Sequence, residues 1–240
     1  MIPRMLHYCW FGGAPHPKAM ATYLAGWRRA CPGYAIREWN ETNFDLDCCA
    51  YVRQAYDQRK FAFVSDYARG LALLTQGGIY LDTDVELLGS FDAYLHHRAF
   101  FGFEHGWYVA TSTMGAQSGQ EIFQVYLEQY HRRAFQEASG KLDLTTNVQV
   151  LTALLEARGL RRDGATQHLP DGITCYPQAY FSPYDYANHL DHRTKETVAI
   201  HHYAQTWLTP MGQLRRMLKR WVLALGGRNL LSKLRREGNS

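Results

Sequence analysis

The chain has 240 residues, of which 46% are hydrophobic and 20% are charged, a balance typical of globular rather than disordered proteins. The net charge of +4 conceals an asymmetry: residues 212–240 carry eight Lys or Arg and one acid, whereas residues 1–211 carry 18 basic and 21 acidic residues. The mildly acidic body excludes nucleic-acid binding there, and no apolar run approaches the roughly 18 residues of a membrane-spanning helix.

The start of the chain lacks the long apolar stretch and cleavage site of a secretory signal peptide, so we expect a cytoplasmic protein. In that compartment the five cysteines are expected to be free thiols. They contain no C-x-x-C pair of the kind that binds zinc.

Predicted strands and helices alternate along the chain. Apolar runs predict strands over residues 3–10, 34–39, 79–81, 99–103, 108–114 and 198–203. Helical spacing and stop signals predict helices over residues 18–30, 61–76, 119–135 and 146–158. This order favours an α/β fold, with one domain over 1–208 built on a Rossmann-like nucleotide-binding sheet, and a helical extension over 209–240.

The most informative stretch begins at Gly77-Gly78, continues through a short apolar run and ends in two carboxylates, Asp82 and Asp84. A buried strand would deliver both carboxylates to its exit, where they form a hard-oxygen site for a divalent cation such as Mg²⁺ or Mn²⁺. A cation held by so few carboxylates usually takes further ligands from substrate phosphates, so the stretch indicates an enzyme that holds a diphosphate.

A second Asp-x-Asp pattern, Asp45 and Asp47, lies in a polar stretch that reads as a loop entering a helix. There we expect the carboxylates to cap the helix or to face solvent rather than to bind metal.

Two further groups of residues precede the carboxylate strand. Asp66 and Arg69 share a helix face, where they either form a surface ion pair or hold sugar hydroxyls and phosphate. Trp10 ends the first strand, where it either packs in the core or stacks on a nucleobase. Gly12 and Gly13 follow it and either form a tight turn or let the backbone approach a ligand.

Late in the chain, His201 and His202 follow one another in a predicted strand and therefore point to opposite faces, so at most one should reach the site. Imidazole is an acceptable Mn²⁺ ligand. Thr206 and Trp207 offer a hydroxyl and an indole N–H that either contact phosphate or pack a loop.

The basic segment 212–236 is amphipathic. It is expected either to lie on an anionic membrane surface or to dock on the domain by its apolar stripe.

In this order, these pieces resemble the sugar-binding-region glycosyltransferases of glycosyltransferase family 32. That group includes bacterial capsular and surface polysaccharide transferases and relatives of the yeast initiating mannosyltransferase. The glucosyltransferase domain of large clostridial toxins is a more distant relative. The resemblance is carried by residues 2–13, 34–40, 65–69, 77–84 and 201–207.

The resemblance implies a GT-A fold, a nucleotide-sugar donor, Mn²⁺ or Mg²⁺, and retention of anomeric configuration. It implies that Asp82 and Asp84 hold ribose, sugar and metal, with His201 or His202 beside the metal and diphosphate. Thr206-Trp207 would contact the departing diphosphate, with Thr206 standing where the family commonly has serine.

The resemblance also implies the donor contacts. Trp10 would stack on the base, next to the glycine pair at 12–13, while Asp66 and Arg69 would hold the donor sugar. Asn147, at a predicted helix start, matches a donor-side asparagine of the family.

The expected activity is metal-dependent retaining transfer of a hexose from a nucleotide sugar to a glycan or lipid-linked saccharide in polysaccharide biosynthesis. A UDP-sugar is favoured, with a GDP-sugar as second choice. No motif nominates a second carboxylate as covalent nucleophile, so we expect same-face substitution without a glycosyl–enzyme intermediate. The alternatives are a nucleotide-sugar hydrolase or phosphotransferase and a non-catalytic polysaccharide-assembly scaffold.

Overall fold

The computed structural model describes residues 1–185 and 190–203. Its helices are α1 (Lys18–Ala30), α2 (Ala50–Asp57), α3 (Phe61–Gln76), α4 (Glu121–His131), α5 (Asn147–Glu156) and α6 (Gln178–Phe181). Its strands are β1 (Met5–Cys9), β2 (Ala35–Trp39), β3 (Gly78–Leu81), β4 (Val85–Leu87), β5 (Ala99–Gly102), β6 (Thr113–Ala116), β7 (Gln167–Leu169), β8 (Ile173–Tyr176), β9 (Tyr184–Asp185), β10 (Leu190–Asp191) and β11 (Ala199–His201). None of the helices in these two ranges is both long and apolar enough to cross a membrane.

A mixed seven-stranded sheet forms the centre, in the order β2-β1-β3-β6-β5-β8-β7. Strand β1 pairs in parallel with both β2 and β3, whereas β6 is antiparallel to its neighbours β3 and β5. Strands β1, β2, β3 and β5 therefore end at the same edge of the sheet. Two short antiparallel pairs, β4 with β11 and β9 with β10, lie outside it.

The sheet is buried on both faces because alternate side chains of its strands enter two apolar layers. In β3, Tyr80 contributes to the layer that includes α2, α3, α4 and α5, whereas Ile79 and Leu81 contribute to the layer that includes α1. The prediction of an α/β fold is confirmed, and the predicted helices over 18–30 and 61–76 have the observed bounds of α1 and α3.

The strand predicted over 108–114 is wrong in position. Strand β6 begins at Thr113, and before it only Val109 forms a bridge, with Phe103. Just before β6, backbone carbonyls form hydrogen bonds with residues of the candidate site. The Thr111 carbonyl accepts a hydrogen bond from the Arg69 guanidinium, and the Ser112 carbonyl accepts one from the Asp82 amide. Helices α2 and α6, strand β4 and strands β7 to β10 were not predicted.

The glycine pair before the carboxylates is required by the fold. Gly77 and Gly78 have φ angles of +65° and +100°, in the left-handed region that favours glycine. A Cβ at Gly78 would lie 2.7 Å from the Met5 carbonyl oxygen of the neighbouring strand. The pair therefore lets β3 leave α3 abruptly and run directly against β1.

We expect Gly78→Ala to lower the free energy of unfolding by about 2–3 kcal/mol, because it adds backbone strain and a clash with Met5. For a chain of this size the melting temperature would fall by about 5–10 °C, measured by circular dichroism. Gly89→Ala is the matched control, since no atom lies within 4 Å of its Cβ position. Equal melting temperatures for the two variants would contradict the argument.

Candidate active site

The candidate site lies where four strands end at one edge of the sheet. Trp10 follows β1, Asn40 follows β2, Asp82 follows β3, and Glu104 comes two residues after β5. Ligands of open α/β sheets bind outside the carboxyl ends of the strands, so this edge is the expected binding position.

Asp82, Asp84 and His201 form a group of potential metal ligands. One ligand atom from each lies within 4.8 Å of the others, and His201 Nε2 is 3.3 Å from Asp84 Oδ1. The antiparallel pairing of β4 with β11 brings them together, because His201 lies opposite Val85, the residue after Asp84. Trp27 holds β4 in place by donating its indole N–H to the Val85 carbonyl at 2.8 Å.

The two adjacent histidines separate as their alternation predicts. His201 faces the carboxylates, whereas His202 Nε2 lies 2.8 Å from Glu86 and its ring stacks on Tyr23. Burial lowers the pKa of His201, but the hydrogen bond and charge of Asp84 outweigh burial, so its pKa is raised overall. His202, which we included among the predicted metal ligands, does not join the cluster.

The three residues fit a divalent cation. Two carboxylates and one imidazole make a donor set that suits Mn²⁺ and, less closely, Mg²⁺, and three protein ligands leave positions for phosphate oxygens. His201 Nδ1 is buried and has no hydrogen-bonding partner within the described ranges, which leaves the ring with unmet bonding capacity.

A buried arginine links the cluster to the helix behind it. Arg69 and Asp66 are only 5% and 8% exposed, so the surface ion pair considered from the sequence is wrong. Arg69 Nη2 lies 3.1 Å from Asp66 Oδ1, and Nη1 lies 3.1 Å from Asp82 Oδ1. The same guanidinium donates to the Ser65 and Thr111 carbonyls. Arg69 is therefore largely committed to holding the two carboxylates in position.

Asn147 joins this network from α5. Its Nδ2 donates to Asp66 Oδ1 at 2.6 Å, and a capping box between Thr146 and Gln149 fixes the helix start beside it. Burial raises the pKa of Asp66 to about 7, with Asp82 acting in the same direction and Arg69 against it. The sequence match of Asn147 thus corresponds to direct contact with a site carboxylate.

Trp10 borders an open cleft of about 420 Å³ at the ends of β1 and β2. Glu38 and residues 40–42 also line it, and Trp10 donates its indole N–H to the Ala14 carbonyl at 2.6 Å. The two glycines differ: the Gly12 amide donates to Glu41 and its Cβ position is blocked by Phe61, whereas nothing lies within 4 Å of the Cβ position of Gly13. Only Gly13 offers the close approach that a ligand needs.

Glu104 is a candidate residue that the sequence argument missed. Burial raises the pKa of Glu104, the charge of Asp82 acts in the same direction, and the charge of His201 acts against it. Tyr203 donates its hydroxyl to Glu104 Oε2 at 3.4 Å. The signal was available, since an acid directly after the predicted strand 99–103 would lie at the same sheet edge as Asp82.

The remaining predicted residues lie away from the site or outside the description. Asp45 and Asp47 are exposed, Asp45 accepts from the Asp47 amide, and Asp47 pairs with Arg53, so solvent-facing carboxylates are confirmed. Neither caps α2, which has no side-chain cap. Thr206-Trp207, the domain boundary at 208/209 and the basic segment 212–236 lie outside the described residues.

Residues 17–101 match the family described as "Glycosyltransferase sugar-binding region containing DXD motif", which agrees with the resemblance noted in the sequence. No curated protein sequence matches the chain.

Three solved structures are similar to the chain at low sequence identity. "PaToxG Glycosyltransferase" is 16% identical with a TM-score of 0.52, covering 65% of this chain and 69% of its own. The galactosyltransferase LgtC is 14% identical with a TM-score of 0.49, covering 89% and 94%. A glycosyltransferase for the major capsid of PBCV-1 is 11% identical with a TM-score of 0.48, covering 85% and 96%.

The mixed sheet with helices on both faces and the match to the toxin enzyme give the chain a GT-A fold. The carboxylates at the exit of β3 lie inside the matched family segment. Residues 17–101 are thus similar to a glycosyltransferase sugar-binding region with its DXD motif, within a chain that has a GT-A fold.

Proposed function

We propose that the protein is a metal-dependent retaining glycosyltransferase that moves a hexose from a nucleotide sugar to a glycan or lipid-linked saccharide. The observation that carries this proposal is the juxtaposition of Asp82, Asp84 and His201 with the buried group of Asp66, Arg69 and Asn147. The first group suits a cation and diphosphate, and the second offers acceptors and donors for sugar hydroxyls.

Each residue has a distinct task in this proposal. Asp82, Asp84 and His201 would hold Mn²⁺ or Mg²⁺, which when bound neutralises negative charge on a diphosphate leaving group. Asp66 would accept hydrogen bonds from donor-sugar hydroxyls. Arg69 holds Asp66 and Asp82 in position, because its guanidinium reaches both carboxylates, and its charge opposes the rise that burial causes in the pKa of Asp66.

The nucleotide would extend from this centre toward β1 and β2. The cleft beside Trp10 lies at the ends of β1, which pairs with β3, and of β2 beyond it, and the cleft suits a base that stacks on the indole. A UDP-sugar is the favoured donor and a GDP-sugar the second choice, following the family resemblance.

Retention is proposed to proceed by same-face substitution, with the acceptor hydroxyl attacking an oxocarbenium-like carbon. Glu104 is the carboxylate to examine as an alternative nucleophile, because it lies close enough to Asp82 and His201 for their charges to affect its pKa. Trapping a glycosyl–enzyme adduct on Glu104 would replace same-face substitution by a two-step mechanism.

The cellular setting is a proposal from the sequence. Polysaccharide biosynthesis such as capsule formation, a cytoplasmic location and peripheral attachment to the inner face of the membrane through residues 212–236 all stay predictions.

We expect a nucleotide sugar with Mn²⁺ to raise the melting temperature by about 5–10 °C at about 100 times its Kd, since ligand binding at that excess adds about 2.7 kcal/mol. The screen uses UDP-glucose, UDP-galactose, UDP-N-acetylglucosamine and GDP-mannose. Chelation of Mn²⁺ by EDTA should remove the shift, and the free nucleosides, which lack the diphosphate, should give none.

Product analysis then separates the activities. A transferase requires an acceptor for rapid turnover, whereas a nucleotide-sugar hydrolase releases free sugar from the donor alone. No shift with any of the four donors plus Mn²⁺ would count against the proposal.

A further inference from the structure

Trp107 is an exposed aromatic residue next to the candidate site. It is 45% exposed, and it is the only Phe, Trp or Tyr classed as exposed within residues 1–185 and 190–203. A single exposed apolar side chain is ordinary on a protein surface, and Trp107 is set apart by its backbone conformation and by what supports its ring.

The backbone presents this ring at an energetic cost. Trp107 has a φ angle of +60°, a left-handed conformation that bulky residues rarely adopt. A tight turn holds it there, because the Trp107 amide donates to the Glu104 carbonyl at 3.0 Å and the Glu104 amide donates to the Tyr108 carbonyl at 2.8 Å. Backbone strain that the surroundings maintain is concentrated at functional sites.

The indole is supported from beneath. A Cβ placed on Gly164 would lie 2.6 Å from ring atoms Cε3 and Cζ3 of Trp107, so the ring packs directly on the backbone of Gly164. Gly164 itself has a φ angle of +73°. A ring that rests on backbone and remains nearly half exposed is a flat apolar surface.

The sheet order places this surface on the other side of β3 from the Trp10 cleft. Strand β1, with Trp10 and its cleft, precedes β3 in the sheet, whereas β5 lies beyond β3 on the other side. Trp107 belongs to the same turn as Glu104, which follows β5 and accepts a hydrogen bond from the Tyr203 hydroxyl at 3.4 Å, and the centroid of the Tyr203 ring lies 3.9 Å from that of His201. The metal cluster therefore lies between the Trp10 cleft and the turn of Trp107.

We propose that Trp107 is the stacking platform for a sugar ring of the acceptor saccharide. The apolar C–H face of a pyranose matches a flat indole, and carbohydrate bound there would direct a hydroxyl toward the metal cluster. This inference rests on the proposed transferase function and adds the chemical class and position of the second substrate.

Trp107→Gly and Trp107→Phe test the platform. Glycine removes the ring and adopts a φ of +60° without strain, so the fold should remain intact, while phenylalanine keeps an aromatic face. Leu88→Ala is the control, because Leu88 is another exposed apolar residue at 50% exposure. Circular dichroism and thermal melting check that each variant is folded.

The readout is saturation-transfer NMR with methyl α-glucoside, methyl β-galactoside and methyl α-mannoside, in the presence of UDP and Mn²⁺. We expect transfer to ring protons of at least one glycoside in the unmodified protein, about a tenfold weaker signal for Trp107→Gly, and little change for Trp107→Phe and Leu88→Ala. No signal with any of the three glycosides, or equal signals for Trp107→Gly and the unmodified protein, would overturn the platform.

Donor binding separates this inference from the proposed function. The melting-temperature shift with nucleotide sugar and Mn²⁺ should be unchanged in Trp107→Gly, because the ring lies on the other side of β3 from the Trp10 cleft. Absence of that shift in the unmodified protein would contradict the transferase function, whereas its loss only in Trp107→Gly would contradict an acceptor-side position for Trp107.

Discussion

Replacing Asp84 with asparagine is expected to reduce kcat/KM for glycosyl transfer by about 10²–10³-fold, since a metal site contributes several kcal/mol and each 1.36 kcal/mol is tenfold. Asparagine keeps the shape of the side chain but removes the charge that attracts a divalent cation. Asp82 is a less direct position to change, because it also forms an ion pair with Arg69 and accepts a hydrogen bond from the Tyr80 hydroxyl.

The measurement is initial rate against Mn²⁺ concentration. We expect the half-saturating Mn²⁺ concentration to rise in Asp84→Asn along with the loss of rate. Asp45→Asn is the matched control. Asp45 belongs to the other Asp-x-Asp pattern, which comes earlier in the chain, and its side chain is exposed to solvent. An Asp84→Asn protein with normal rates and normal Mn²⁺ dependence would leave the metal proposal without support.

Replacing Arg69 with methionine should lower the free energy of unfolding by about 3–5 kcal/mol, the usual loss when one partner of a buried ion pair is removed. Methionine fills much of the volume but leaves Asp66 and Asp82 without their shared cation. The Ser65 and Thr111 carbonyls also lose their donor. For this chain length the melting temperature would fall by about 6–20 °C.

The stability that Arg69→Met loses should depend on pH, and the pKa of Asp66 sets the direction. Burial raises the pKa of Asp66 to about 7 even with Arg69 present, and removal of Arg69 raises it further. At pH values between the Asp66 pKa of the unfolded chain and that of the folded protein, Asp66 holds its proton only in the folded form. The free energy of unfolding therefore falls as pH rises through this range. The difference between Arg69→Met and the unmodified protein should therefore be smaller at pH 5, where Asp66 is protonated in both, than at pH 8.

Arg53→Met provides the comparison, because Arg53 also contacts two carboxylates, Asp47 and Asp57, but at the surface. Exposed pairs contribute about 0–1 kcal/mol, so this variant should melt close to the unmodified protein. Similar losses for both variants would mean that burial does not distinguish the Arg69 pair.

Local patterns in the sequence predicted the elements that carry the site. Helix α3 has its predicted bounds because an apolar stripe at helical spacing ends at a glycine pair that cannot continue a helix. The exit of β3 followed from the same glycines and the short apolar run after them. These features depend on neighbours within a few residues.

Features that depend on distant pairing were not predicted. Spacing placed Asp66 and Arg69 on one face but not in the interior, because their burial follows from α4 packing on α3, with Tyr126 against Gly70. Strand β4 has three residues, too few for a periodic signal, and its pairing with β11 decides which histidine faces Asp84. Contact between Asn147 and Asp66 likewise arises only when α5 packs near α3.

The pairing of β4 with β11 also bears on the synthesis of the protein. All seven strands of the central sheet lie within residues 5–176, whereas the imidazole of the metal cluster arrives only at His201. Because chains emerge from the ribosome N-terminus first, the sheet has all its strands before the third proposed ligand exists. A nascent or truncated chain that ends before β11 thus carries both carboxylates of the Asp-x-Asp pattern but lacks the complete set of proposed ligands.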